Sequence, residues 1–392
     1  MIVLLCILFF FLSIIGYRHN QDIFSPYTLG PIIWFVILLL YIFSSPTFYP
    51  IDIRFPLCVF LWVIFFTISS FVVSENLNFK YTKFNAINER VWKILLSLSI
   101  FACLFGAYNA ISVALSDIDT FFTTLRSINT GLDDNITIKS SGIFSYFYSA
   151  LLVLYLAELT TRRHSKRFLY ILLFLNLLFS FVTMAKTQFA LLFICSIVVL
   201  YKQKKVKIRQ LIIPLLLLLL FFVFLQILRS VDGFEGEFDI KRFFDIYLFS
   251  GMTAFDVVNI SPGWDGKYTF RFFYAIGSVL GLDIPVADTI LNYTLIDSMG
   301  TITNVYTGLF PFFADYGYFG VILFASINGA LYGYLYKKSK ANNAALIIYS
   351  ILSSYYVLIF LGDFLYTNLS LFIQYVFYSL IIFYPKKRIK LW

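Results

Sequence analysis

The sequence predicts an all-α polytopic membrane protein with about eleven transmembrane helices and one large extracytoplasmic loop. Three observations predict it. Hydrophobic residues make up 60% of the chain and charged residues only 13%, with a mean hydropathy of +0.85; soluble domains sit nearer half apolar and a quarter charged. Apolar stretches of membrane length recur along the chain, and 48 Phe and 28 Tyr supply lipid-facing surface and aromatic belts. The basic residues gather in short clusters beside those stretches, as the positive-inside rule requires of short cytoplasmic loops.

Spans are expected near 2–16, 27–44, 55–74, 92–114, 142–159, 168–184, 187–201, 211–228, 309–335, 344–361 and 368–384. The first and seventh are short. The basic clusters run from Arg162 to Arg167, Lys202 to Arg209, Lys337 to Lys340 and Lys386 to Lys390. They follow the fifth, seventh, ninth and eleventh spans, so all fall on one side of the membrane. That side is the cytoplasm, which puts the N-terminus outside and the C-terminus inside. Residues 17–26 and 75–90 are then cytoplasmic, and 45–54, 115–141, 229–308 and 362–367 face out. The first span has no basic segment before it and no small-residue cleavage site, so it reads as retained rather than as a signal peptide. Cys6, Cys58, Cys103 and Cys195 all fall inside apolar spans without a CxxC partner, and read as small buried apolar residues. The expected organisation is membrane helices over 1–228, the loop over 229–308, and three more helices over 309–392.

The loop 229–308 is too polar for lipid, where unpaired backbone groups find no water, and too long to be a plain connector. Its Phe, Tyr and Gly content implies that it packs. Phe238 to Val258 mixes charge with aromatics and reads as an interfacial amphipathic helix. Ser261 to Gly266 is a turn cluster, and Phe270 to Leu280 is a second surface helix. Acidic residues outnumber Arg229, Lys241, Arg242, Lys267 and Arg271, the basic residues of the loop.

Several charges are not explained by a membrane span. Lys186 stands between the sixth and seventh spans with almost no loop around it; it either snorkels to the interface or serves function. Arg229 ends the eighth span, where an interfacial anchor and a site role are equally open. With Lys186 on the same side it reads as half of an anion clamp, the Arg supplying a fork and the Lys a point charge. Arg126 follows the aromatic run at Phe121 in an outward loop whose pattern predicts a short helix lying on the membrane. Asp315 enters the ninth span, Asp363 follows the tenth and Asn368 begins the eleventh. A carboxylate at the outer surface serves as general base or sugar acceptor, or simply caps a helix. The only histidines, His19 and His164, fall on the cytoplasmic side, and no outward cluster offers a metal site. Motifs for nucleotide binding, serine hydrolysis or zinc peptidase chemistry are absent.

Thr303-Asn304-Val305-Tyr306-Thr307, Ala314-Asp315-Tyr316-Gly317-Tyr318-Phe319-Gly320, Ala185-Lys186-Thr187-Gln188, Leu228-Arg229-Ser230, and Asp363 with Thr367-Asn368 carry a resemblance. In their order along nearly the whole chain these segments resemble the Wzy-type O-antigen polymerases. The resemblance implies a membrane glycosyltransferase of GT-C type in the bacterial inner membrane, working at its periplasmic face. The donor is then an oligosaccharide on undecaprenyl diphosphate, and the acceptor a hydroxyl of a second lipid-linked repeat unit. Because the leaving group carries the activation, no nucleotide, metal or other cofactor is required. The expected catalytic set is Lys186, Arg229, Asp315 and Asp363. The expected substrate-binding set is Arg126, Arg271, Asn304, Tyr306, Thr307 and Asn368. Membrane lipids and a chain-length regulator are expected partners, and nucleic acid is not. O-antigen ligases, also related, use an outward His that is missing here. A lipid-linked oligosaccharide flippase would place charges deep in a central cavity and show repeated helices, whereas here the polar groups gather at one face. A channel or structural membrane protein leaves Lys186 and Asn304 unexplained.

Overall fold

A computed structural model describes residues 1–79, 86–116, 120–130, 146–206, 239–288 and 291–384, with scattered residues between 210 and 227. Among them the regular structure is helical save for one two-stranded ladder. Helices α1 (Ile2–Asn20), α2 (Pro26–Ser44), α3 (Arg54–Asn76) and α4 (Glu89–Ala114) are long and apolar enough to cross a membrane, as is α11 (Phe310–Ser339). Three shorter apolar helices are α6 (Tyr146–Thr161), α12 (Asn343–Val357) and α13 (Leu369–Ile382). The expected sixth and seventh spans form α7 (Lys166–Val182) and α8 (Lys186–Lys202). The expected span 211–228 and the boundary residue Arg229 lie outside the described residues. Among the described residues five helices thus meet the length and composition of a span, against the eleven expected over the whole chain. The expected span 344–361 stops at Val357, where the chain turns irregular until Leu369.

Two compact units divide the chain. The first comprises Met1–Lys80, Asp239–Lys340 and Leu352–Phe372; the second comprises Tyr81–Phe238, Ala341–Ile351 and Ile373–Trp392. The described part of the large loop therefore packs with α1–α3 and α11 instead of standing apart. It forms α9 (Ile240–Val257), α10 (Arg271–Val279), and the strands β1 (Thr294–Leu295) and β2 (Ile302–Thr303), paired antiparallel with Thr294 opposite Thr303. Both loop helices fall where the amphipathic pattern predicted them. Asp239 caps α9 by accepting the N–H of Lys241 at 2.8 Å. The other end of α9 and the start of α3 cap each other. The Arg54 guanidinium donates to the carbonyls of Phe255, Asp256 and Val258, while the Asp256 carboxylate accepts the N–H groups of Asp52 and Phe55. A cation thus meets the negative end of one helix dipole and a carboxylate the positive end of another. This fixes the loop to the first unit.

Helix α11 is really two helices. Gly317, at φ 61 and ψ −148, breaks it, a conformation open mainly to glycine. The short piece Phe310–Tyr316 folds back on the long one, so that Phe312 stacks on Phe324 at 4.8 Å between ring centroids. Below the bend, Gly329 and Gly333 lie directly against the backbone of Phe66 and Ser70 on α3. Side chains there would separate the two helices, so small residues set this contact.

In the second unit Asn88 N–H bonds to the Ile382 carbonyl at 2.7 Å, and Ser149 donates to the Gln374 side chain at 2.8 Å. His164 sits between two carboxylates, with Nδ1 2.7 Å from Glu158 and Nε2 3.2 Å from Glu89, and its ring stacks on Trp92 at 4.0 Å. The group ties the start of α4 to the α6–α7 turn. At the other end of α4 stands helix α5 (Phe121–Thr130), expected as a short surface helix, whose Leu125 packs with Ala107, Ala110 and Ala114 of α4.

Candidate functional site

The candidate residues form two groups, one in each unit. In the second unit the turn between α7 and α8 is built from Thr183, Met184 and Ala185. Met184 adopts a left-handed conformation at φ 48, and its N–H bonds to the Phe181 carbonyl at 2.9 Å. The chain reverses in so few residues that Lys186 becomes the first residue of α8 and is only 8% exposed. Ala107, Ala110, Ala114, Leu125, Val182, Met184 and Phe189 form the apolar cluster at this turn. A buried cation is costly, and this one stands at the positive end of a helix dipole, where an anion is favoured. The position therefore favours a negative ligand on electrostatic grounds. Arg126 is exposed on α5, and its neighbour Leu125 is fully buried in the same cluster as Met184 and Phe189. The helix carrying Arg126 thus lies against the turn carrying Lys186. Arg229 falls outside the described residues.

In the first unit two irregular segments meet, Thr303–Leu309 and Leu358–Asn368. Gly308 N–H bonds to the Ile359 carbonyl at 2.7 Å. A Cβ on Gly308 would lie 2.8 Å from Ile359 Cγ1 and 2.9 Å from the Gly362 carbonyl, so only glycine permits the crossing. Irregular backbone among spanning helices survives where it is buried in protein or lines a cavity. Here it does both. Gly308, Phe312, Asn328, Tyr332, Gly362 and Asp363 are among the residues that line a cavity of about 30 Å³, room for one or two waters. Asn328 Nδ2 donates to the Tyr366 hydroxyl at 3.2 Å across its wall.

The expected residues take distinct places around this crossing. Asp363 accepts the N–H groups of Leu365, Tyr366 and Thr367 and the Thr367 hydroxyl, so it shapes the turn that lines the cavity. Thr307 is fully buried, and its hydroxyl has no hydrogen-bond partner among the described residues. Asn304 is half-buried beside it. The Tyr306 hydroxyl lies 2.5 Å from Thr294 Oγ1 and donates to the Asn292 carbonyl, while its ring packs on Phe310; it holds the ladder to the crossing. Asn368, also half-buried, opens the first turn of α13.

Asp315 and Arg271 bond to other parts of the loop. The Asp315 carboxylate is fully buried and accepts N–H from Tyr268 at 3.3 Å and Thr269 at 2.7 Å. Its own carbonyl accepts the Trp264 N–H at 2.7 Å. Both oxygens accept from backbone N–H groups of the loop, so the carboxylate fastens the loop to the first turns of α11. Arg271 Nε donates to the Ala287 carbonyl at 2.6 Å and steadies the start of α10. Asn328 and Tyr366 escaped the sequence reading; the one signal was a lone Asn inside the apolar stretch 309–335. Among the described residues no group of three or more His, Cys, Asp or Glu could hold a metal ion.

Asp297 anchors the approach to the crossing. It is fully buried and accepts from the N–H groups of Met299 and Thr301, the Thr301 hydroxyl and Arg242. Burial pushes its carboxyl up, but the bonds from Thr301 and Met299 and the Arg242 charge outweigh it, and the net shift is downward. A folded-state value below the unfolded one, about 3.9, gives stability that is complete above the unfolded value. That stability is lost as pH falls through the folded value. The Asp297→Asn protein should therefore melt lower at pH 7 and depend less on pH below about 4. Thermal unfolding in detergent across pH 3 to 7 checks this; parallel curves for the two proteins would remove the anchor from the account.

Compared with known proteins, the chain matches a family model described as "Putative O-antigen polymerase" over residues 1–373. No curated protein and no solved structure matches.

Proposed function

Because this chain belongs to the "Putative O-antigen polymerase" family, we propose that it joins O-antigen repeat units drawn from undecaprenyl diphosphate at the periplasmic face of the bacterial inner membrane. The family supports the polymerase activity itself and membrane embedding; the carrier, the face and the residues are our reading. The buried Lys186 at the first turn of α8 carries it. A lipid-linked diphosphate is the anion that reaches a cation at the outer end of two apolar helices.

In this reading the acceptor hydroxyl oxygen bonds to the anomeric carbon of the donor. The bond from that carbon to the diphosphate breaks, and its electron pair leaves with the diphosphate. Lys186, with Arg229 and Arg126, stabilises the charge that grows there. Asp363 takes the proton or orients the hydroxyl, and Asn304, Thr307 and Asn368 bind sugar hydroxyls. Asp315, Tyr306 and Arg271 hold the loop in place. The chain then carries about eleven spans in a GT-C-like arrangement, with the N-terminus periplasmic and the C-terminus cytoplasmic. Residues 229–308 cover the site, and a chain-length regulator is the expected protein partner. Lipopolysaccharide from a strain lacking the protein tests the activity. Cores capped by a single repeat unit are expected; loss of all O-antigen would assign the chain to ligation or flipping instead.

A further inference from the structure

Helix α10 leaves an apolar face exposed. Phe273, Ile276, Val279 and Leu280 are all exposed, and Leu282 follows them. Phe273, Ile276 and Leu280 recur at the three- and four-residue spacing that forms one stripe along a helix. A contiguous patch of this kind is uncommon on a surface that meets only water. The segment leading into it is fastened to the outer end of α11. Tyr268 and Thr269 bond to the Asp315 carboxylate, the Trp264 ring stacks on Phe319 at 6.1 Å, and Phe270 meets Phe324 edge-on at 5.9 Å. On α11 itself Phe319, Leu323 and Ile327 are exposed at four-residue spacing, the stripe that a spanning helix shows to lipid. The apolar face of α10 begins where that lipid-facing stripe begins.

We propose that α10 lies in the interfacial zone of the bilayer, with Phe273, Ile276, Val279 and Leu280 among the acyl chains that surround the outer end of α11. The occupant is bilayer lipid. Continuity with the stripe on α11 argues for it, and so does charge. The one charged residue of the helix, Arg271, stands at its first position with Nε bonded to the Ala287 carbonyl, so the exposed face carries none. A short amphipathic helix with aromatic and aliphatic residues on one side binds at the boundary of headgroups and acyl chains. The inference stands apart from the polymerase reading, because it needs no substrate.

Nitroxide labels on the full chain in lipid nanodiscs, without any polyprenyl lipid, test it. Ile276→Cys and Leu280→Cys report the face and Asp265→Cys reports the aqueous side; the four native cysteines are buried. Collision with oxygen over collision with a water-soluble nickel chelate should be several-fold higher at positions 276 and 280 than at 265. Equal access of the chelate to all three positions would overturn the proposal. An oxygen preference that arises only when polyprenyl diphosphate is added would give the face to the carrier's tail. One that arises only in discs holding two copies would give it to self-association. Both results overturn bilayer lipid as the occupant.

Discussion

Lys186→Ala should abolish long O-antigen chains while the protein still accumulates in the membrane. Lys186 is buried at the first residue of α8, against the positive end of that helix and beside an apolar cluster. Each of these features raises the cost of a cation, and each is relieved when a diphosphate docks. Removing one preorganised group that faces developing charge typically costs about 3 kcal/mol, a hundredfold or more in rate. Polymerisation needs many consecutive steps, so a slowdown of that size leaves only the shortest chains. The Met184 N–H keeps its bond to the Phe181 carbonyl in the variant, so the turn itself is left intact. Lys186→Arg should retain part of the activity, and Arg229→Lys should rescue poorly because a point charge does not replace a planar fork. The ladder on a gel is read beside the protein level. A normal ladder from Lys186→Ala at normal level would mean that this lysine only snorkels, and would move the diphosphate to Arg126 or Arg271.

Gly308→Ala should be the most damaging small substitution in the first unit. The added methyl would lie 2.8 Å from Ile359 Cγ1 and 2.9 Å from the Gly362 carbonyl. The side chain can turn aside, but the carbonyl is backbone, so the two irregular segments must part. Parting them strains the 2.7 Å bond from Gly308 to Ile359 and disturbs the turn that Asp363 organises. Overpacking of this kind costs about 1–3 kcal/mol, and activity should fall further because Asp363 and Thr307 are displaced together. Gly263→Ala is the control. Its nearest neighbours are the Asp265 side chain at 3.4 Å, ordinary contact, and it should stay within about 0.5 kcal/mol of the parent. Thermal unfolding of both variants in detergent decides the matter; equal midpoints would show that the crossing is looser than the distances imply.

Local pattern made the helices legible. Apolar runs placed α1–α4, α11 and the shorter helices, and amphipathic spacing placed α5, α9 and α10. What stayed hidden depends on partners far along the chain. The reciprocal caps of Arg54 and Asp256 join residues some two hundred positions apart, and neither residue has a local signature. The break at Gly317 gave no warning, because a glycine inside an apolar run reads as ordinary helix. Residues 358–361 read as the end of a membrane span since they are apolar; their meeting with Gly308 draws them out of the helix. Lys186 and Asp363 stood out as charges without a membrane reason. The bonds that Asp315 accepts from Tyr268 and Thr269 had no signature in the sequence either.

The purified chain in liposomes, given a synthetic repeat unit on undecaprenyl diphosphate and no nucleotide, tests the central claim most directly. A ladder of products is expected, with one undecaprenyl diphosphate released for each glycosidic bond and a loss of at least a hundredfold in Lys186→Ala. No bond formation until a nucleotide sugar is supplied, or equal rates from the parent and Lys186→Ala, would contradict it.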